Sequence, residues 1–428
     1  MKGRFLWPKK KTYTIADKTT LDSVVSDVNK MIEVANEYIA ETPTEPYREP
    51  LRYGIKIKKS DSNPSTRMEY TYDAVGMTPA KMNYLTDTFD YGSWGDVWFI
   101  KKNKPVMLKS DGTEDYELDP NDYSKKADGS ASDYNNNSYD GNVMARIPLV
   151  YVSMSEDSTY EYITVCNKKY DDTYKAIAHT KSDGTVVDNI YLSCFKANVE
   201  NNKARSLPGR NSSDKYSIQE WTNYATANGS GWNIGTWGQR MLINSLLWII
   251  GKSDDTQTVF GQGNSKSYDP NPNTHNYMKY TGSVYDKGQF YGSSNYTTQV
   301  KVFHIEGWWG DRNNFIHGLI TGGNNIIKVS LTGPYNYTGD GYTSVSGISN
   351  RYGYGKTTMT NEYGRFVTDT GGSSSSYTCD YWECGGNGYV AYVGGMNNDY
   401  SECGASCVNA TFSTEGKVWS LGASLSFV

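Results

Sequence analysis

The sequence predicts an α+β chain with an N-terminal helix able to form a coiled coil, a β-rich spacer and a larger C-terminal domain. Three observations carry this expectation. An apolar heptad pattern runs from Thr19 to Ala40. From Leu51 the period changes to strand-like alternation broken by Gly, Pro, Asn and Asp. Two helical patches then stand among short strands between Ser217 and Gly251. The expected boundaries are 1–45 for an arm and helix serving attachment or oligomerisation, 46–140 for the spacer and 141–428 for the C-terminal domain.

In the first helix Leu21, Val24, Val28, Met31, Ala35 and Tyr38 alternate spacings of three and four, which is an a/d seam, and "TTLD" supplies a capping residue. One reading is an amphipathic helix lying on its own domain. The other, taken as the expectation, is a self-associating stalk and hence a homo-oligomer, with a trimer as the candidate state. "ETPTEPYREP" then ends the helix as a stiff linker. Ahead of it, "MKGRFLWPKKK" sets Phe5, Leu6 and Trp7 beside five cations, either as a plug for another protein or as a solvated tail.

Beyond the linker, "LRYGIKIKK", "TRMEYTYDAVGM", "DVWFIKKNKPVML" and "GNVMARIPLVYVSM" read as strands. Between Asp119 and Gly141 the chain is polar and predicts a long surface loop; its Asp and Asn lack the spacing of a calcium loop. Ser217 is a candidate N-cap for a helix bearing Trp221, Tyr224 and Ala225, broken at Gly229 to Gly231. "TWGQRMLINSLLWIIGK" is a second, more buried helix ending at Gly251.

Composition removes several functions. The 428 residues carry a formal charge of only -5, without the basic footprint of a nucleic-acid binder. The longest apolar run, Met241 to Ile250, is half of the roughly 20 residues a membrane span needs. The basic N-terminus is followed by no apolar h-region, so the chain is expected in a cytoplasm until something else releases it. That compartment predicts free thiols at Cys166, Cys194, Cys379, Cys384, Cys403 and Cys407. The Cys379/Cys384 and Cys403/Cys407 spacings are loose for zinc, and no metal is expected. With four histidines and neither H-E-x-x-H, G-x-S-x-G nor a phosphate loop, no enzyme and no cofactor is expected. A glycan-cleaving spike would need two carboxylates about 5–10 Å apart, which sequence leaves open, but no repeats suggest a β-helical spike.

The segments "SCFKANVENNKARSLPGR", "WTNYATANGSGWNIGTWGQRMLINSLLWIIGKSDDTQTVFGQGN", "VFHIEGWWGDRNNFIHGL" and "VAYVGGMNNDYSECGASCVNATFSTEGKVWSLGASLSFV" resemble, in that order, the C-type-lectin-fold domains of bacteriophage tail and receptor-binding proteins. These are relatives of the formylglycine-generating-enzyme-like fold, and some are variable proteins of diversity-generating retroelements. Segments after Leu51 are similar to parts of gut-phage virion proteins. The resemblance makes 141–428 a C-type-lectin-like ligand-binding domain, with Trp232, Trp237, Leu242, Leu246, Leu247 and Ile250 in its core and Trp308 and Trp309 packed on a sheet. It also puts "GASLSFV" in a last strand inserted near the domain's beginning; Ser424 stands where the family often has Arg. The related sulfatase-modifying enzymes use a copper-binding cysteine pair, and no motif around "CGASC" matches theirs.

By the same correspondence Tyr392, Met396, Asn397, Asn398, Asp399, Tyr400, Glu402, Ser406, Val408, Asn409, Thr411, Lys417 and Trp419 are candidates for display to a ligand. Composition points the same way. Of the 58 residues from Gly371 to Val428, Tyr, Ser, Gly and Asn supply 29 and charged residues six, the bias of antibody paratopes. Short strands and tight turns would also draw such residues. The expectation is a phage virion adhesin, assembled in the host cytoplasm, that binds a bacterial surface glycan or protein and docks other virion proteins through its N-terminal segment. The alternative is a structural virion protein, such as a head fibre, collar or tail adaptor.

Overall fold

Alternation between buried and exposed positions begins where the sequence places it. In the strand Arg52–Lys58, Ile55 and Ile57 are fully buried while Lys58 is exposed. This computed structural model describes residues 18–41, 50–268 and 278–428. The chain divides into two units, Met1–Glu49 and Pro50–Val428.

In the first unit Lys18–Glu41 is a 24-residue helix. The seam residues Val24, Val28 and Met31 are exposed within the chain, and the expected coiled coil finds no support among the described residues. The α+β expectation is corrected with it. The chain is mostly β and curls into a half-barrel, with 26 strands and five α-helices among the described residues. The long heptad pattern and two helical patches outweighed many short strands whose individual signals are weak. The expected plug at Phe5–Trp7 and the proline linker after Glu41 lie outside the described residues.

In the second unit, the spacer and the expected ligand-binding domain share sheets. Arg52–Lys58 pairs antiparallel with Tyr160–Cys166, matching Ile55 to Ile163, and Lys104–Lys109 pairs with Gly141–Pro148. A seven-stranded sheet runs from Trp232–Ile234 through the last strand, Leu425–Phe427, to Asn189–Ser193, Gly141–Pro148, Lys104–Lys109, Glu114–Asp119 and Asp122–Lys126. The apolar C-terminus is thus inserted between two strands from the middle of the chain, matching Phe427 to both Trp232 and Tyr191. A nine-stranded sheet includes Asn313–Gly323, Asn387–Val393, Val408–Phe412 and Tyr381–Cys384 as neighbours.

The helix Trp237–Gly251 packs against the strands Arg52–Lys58, Tyr160–Cys166 and Asn313–Gly323, and every residue of it is buried. Apolar residues dominate the helix and its few polar ones, Gln239, Arg240, Asn244 and Ser245, are buried too, so it has no face to give to water and forms a core. Thr236 caps it through a capping box with Gln239, and Lys252 closes it in the left-handed region. Ser217 caps Ile218–Thr226 in the same way, with Glu220. Trp232, Trp237, Leu242, Leu246, Leu247, Ile250 and Trp309 are all buried. Where the sequence predicts a surface loop after Asp119, the strand Asp122–Lys126 forms instead. Its Tyr123 is fully buried and hydrogen-bonded to His304 Nδ1 at 2.9 Å.

One buried ionic cluster ties distant segments together. Arg365 Nε donates to Glu161 Oε2 at 2.7 Å, its Nη1 contacts Asp254, and Arg67 Nη1 lies 3.0 Å from Asp254 Oδ2. Glu161 also accepts from Thr360 Oγ1 at 2.8 Å. Two cations and two anions balance there, each paired with an opposite charge, although Arg67 Nε has no hydrogen-bond partner among the described residues.

Candidate functional site

The last sixty residues build a loop on the central helix. Arg240 is buried and donates to the carbonyls of Trp308 (2.8 Å), Gly404 (3.1 Å) and Ala405 (2.9 Å), while Asn244 Nδ2 donates to Ala405. Burial lowers the Arg240 guanidinium to about 9. The indole of Trp308 lies against Arg240 at 4.4 Å and donates to Asn244 Oδ1 at 3.0 Å, so this half-buried tryptophan belongs to the support.

The chain leaves the strand Asn387–Val393 through Gly394 and Gly395, at φ 96° and 77°. A side chain at Gly395 would lie 2.5 Å from Cys403 Sγ, so the turn requires glycine. Gly395 N–H then donates to Asn313 Oδ1, and Asp399 Oδ2 accepts from Met396 N at 2.8 Å. Tyr400 follows at φ 51°, its N–H donating to Ser265 O at 3.0 Å.

The segment Ser265–Tyr268 organises the surface that results. The N–H groups of Ser267 and Tyr268 donate to Asn397 O, at 3.0 and 3.1 Å. At one end the Lys266 ammonium lies 5.2 Å from the Tyr400 ring; at the other the Tyr268 ring stacks on Trp419, with centroids 5.3 Å apart and 22° between planes. Tyr400 (44% exposed) and Trp419 therefore flank one short segment, although 18 residues separate them in sequence. Arg312 holds the Trp419 carbonyl from beneath, and Asp214 lies 3.0 Å from the same guanidinium.

The thirteen display candidates divide by burial. Asn398, Tyr400 and Lys417 are exposed, and Met396, Asp399, Glu402, Ser406, Thr411 and Trp419 are half-buried. Tyr392, Asn397, Val408 and Asn409 are buried and support the surface from behind. The Tyr392 hydroxyl bonds the Thr411 hydroxyl at 2.6 Å, and Val408 pairs with Trp382 and Val393. Ser406 N donates to the buried Asp380 carboxyl, and Lys417 pairs with Glu220 at 2.8 Å away from the Tyr400 loop.

The structure adds residues that sequence reasoning missed. Glu383, on the strand Tyr381–Cys384, is held near Asp399 and Glu402. Burial raises the Asp399 carboxyl to about 6, with Glu402 and Glu383 adding to the shift; burial and Glu383 raise Glu402. Tyr354 bonds Ser401 Oγ at 2.9 Å and packs edge-on against Tyr381. Lys266 and Tyr268 join from a segment about 130 residues earlier. No local signal marks them, because parallel pairing and a loop contact bring them there.

All six cysteines are free and buried, and burial raises the Cys403 and Cys407 thiols well above their usual range. Among the described residues no cluster of His, Cys, Asp and Glu suits a metal. Comparison with protein-family models gave no match, and comparison with curated proteins gave none.

Proposed function

We propose that this chain is a phage virion adhesin, resembling receptor-binding proteins with C-type-lectin-like domains, that binds a bacterial surface ligand non-covalently through the surface around Ser265–Tyr268. The single observation that supports this most is the pair Tyr400 and Trp419 flanking that segment. Tyr and Trp give large contact area for little lost entropy, and the short polar residues around them, Asn398 and Ser401, supply adaptable hydrogen bonds. Because the loop is anchored to the central helix, it loses little conformational freedom on binding. Many copies on one particle would turn modest contacts into firm attachment.

The test is binding of labelled protein to a panel of gut bacterial strains, beside a Tyr400→Ala/Trp419→Ala variant of matching circular dichroism. Strain-selective binding lost in the variant supports the adhesin. Equal binding by both proteins refutes this surface, and absence of binding to any strain together with stable association with other virion proteins refutes the adhesin in favour of a structural role.

A further inference from the structure

A cavity of about 40 Å³ lies at the first turn of the central helix, lined also by the strands Asn189–Ser193, Asn313–Gly323 and Leu425–Phe427. One water needs about 10–15 Å³ on this measure, so the space suits a few waters or one small ion. Its polar lining residues are Ser193, Thr236, Gln239, Arg240, Asn314 and Ser424, and no Asp or Glu is among the lining.

Two polar atoms of these residues are unanswered. Arg240 Nε and Ser193 Oγ have no hydrogen-bond partner among the described residues, and the two side chains belong to residues only 2% and 1% exposed. A buried donor left unpaired costs free energy unless something beside it accepts. The side-chain carbonyl oxygens of the same lining are engaged: Gln239 Oε1 accepts from Thr236 N–H at 3.0 Å, and Asn314 Oδ1 from the Ser424 hydroxyl at 3.1 Å. The unanswered groups are thus a guanidinium N–H and a hydroxyl, both able to donate.

Charge points the same way. The other contacts of Arg240 are three carbonyls and the Trp308 ring, with no carboxylate among them. Asp380 is the acid that acts on it, but burial raises that carboxyl well above its usual range, so it offsets little of the charge. Buried charge without a counter-charge is costly, which favours an anion over water beside Arg240.

From this we infer a buried site for one small monovalent anion of the halide class, chloride in its natural setting, held between Arg240 and Ser193. The ion completes the support through which Arg240 holds the Gly404 and Ala405 carbonyls, whatever that loop binds.

The test is thermal unfolding of the full chain in sodium chloride and in sodium gluconate, whose anion is too large for the cavity, at equal ionic strength so that screening is matched. Chloride should raise the wild-type midpoint by about 2 °C or more. Ser193→Ala removes one donor with little change of volume; it should gain less than half as much from chloride, and in gluconate it should be no less stable than wild type, because the hydroxyl it lacks is unpaired there. Crystals of the wild type soaked in bromide should show an anomalous peak between Arg240 and Ser193. No gain from chloride in wild type, a gain of half or more in Ser193→Ala, or no bromide peak in the cavity, which would leave it to water, would each overturn the assignment. The bromide experiment uses the unaltered protein, so it decides the matter even where Ser193→Ala fails to fold.

Discussion

Replacing Arg365 by Met removes one member of the buried ionic cluster and leaves Glu161 and Asp254 facing Arg67 alone. The side chains of Glu161 and Asp254 are fully buried, so water cannot take over the lost partner. Breaking such a pair from one side costs about 3–5 kcal/mol. In urea denaturation, with a slope of about 3 kcal/mol per M or more for a chain of this size, the midpoint should fall by about 1 M. The comparison is Lys101→Met, which breaks an ion pair whose partners are 67% and 95% exposed and should move the midpoint hardly at all. Burial alone would raise the Glu161 carboxyl, yet Arg365 and its hydrogen-bond donors hold it below 4.5. Its contribution is therefore present above the unfolded value and is lost as pH falls through the lower folded value, so the gap between wild type and Arg365→Met should narrow in acid. A midpoint within about 0.2 M of wild type, or a gap independent of pH, would show that the cluster does not stabilise the fold in this way.

Three other outcomes follow from the same structure. Asp399→Asn should stabilise the protein at pH 7 by at most about 3 kcal/mol, because a carboxyl raised from 3.8 to about 6 is penalised once ionised; the gain should vanish as pH falls below 4, and a gain that persists there would contradict it. A thiol reagent should titrate none of the six cysteines in the native protein and all six after unfolding; rapid native reaction at Cys403 or Cys407 would contradict their burial. Gly395→Ala should lower stability by about 1 kcal/mol or more and weaken cell binding, since its Cβ meets Cys403 Sγ at 2.5 Å; an unchanged midpoint would show that the turn relaxes.

What could be seen in the sequence was what local chemistry decides. Ser217 with Glu220 and Thr236 with Gln239 are capping boxes within four residues, and the mostly apolar run from Met241 to Ile250 belongs in a core. The heptad seam was equally visible, but Val24, Val28 and Met31 are exposed, because a period says which residues share a face and not whether anything covers it. Tyr123 was hidden for the opposite reason: one buried ring among polar neighbours leaves no alternation to detect, yet His304 lies 181 positions away to receive it. The candidate surface was half visible. Tyr400 and Trp419 stand in a Tyr-, Ser- and Gly-rich segment, whereas Lys266, Tyr268 and Glu383 reach it only through long-range contacts.

The adhesin proposal stands or falls on strain-selective cell binding by the intact protein compared with Tyr400→Ala/Trp419→Ala of equal thermal stability. The variant should lose binding to every strain that wild type recognises. Undiminished binding by the folded variant would contradict the proposal.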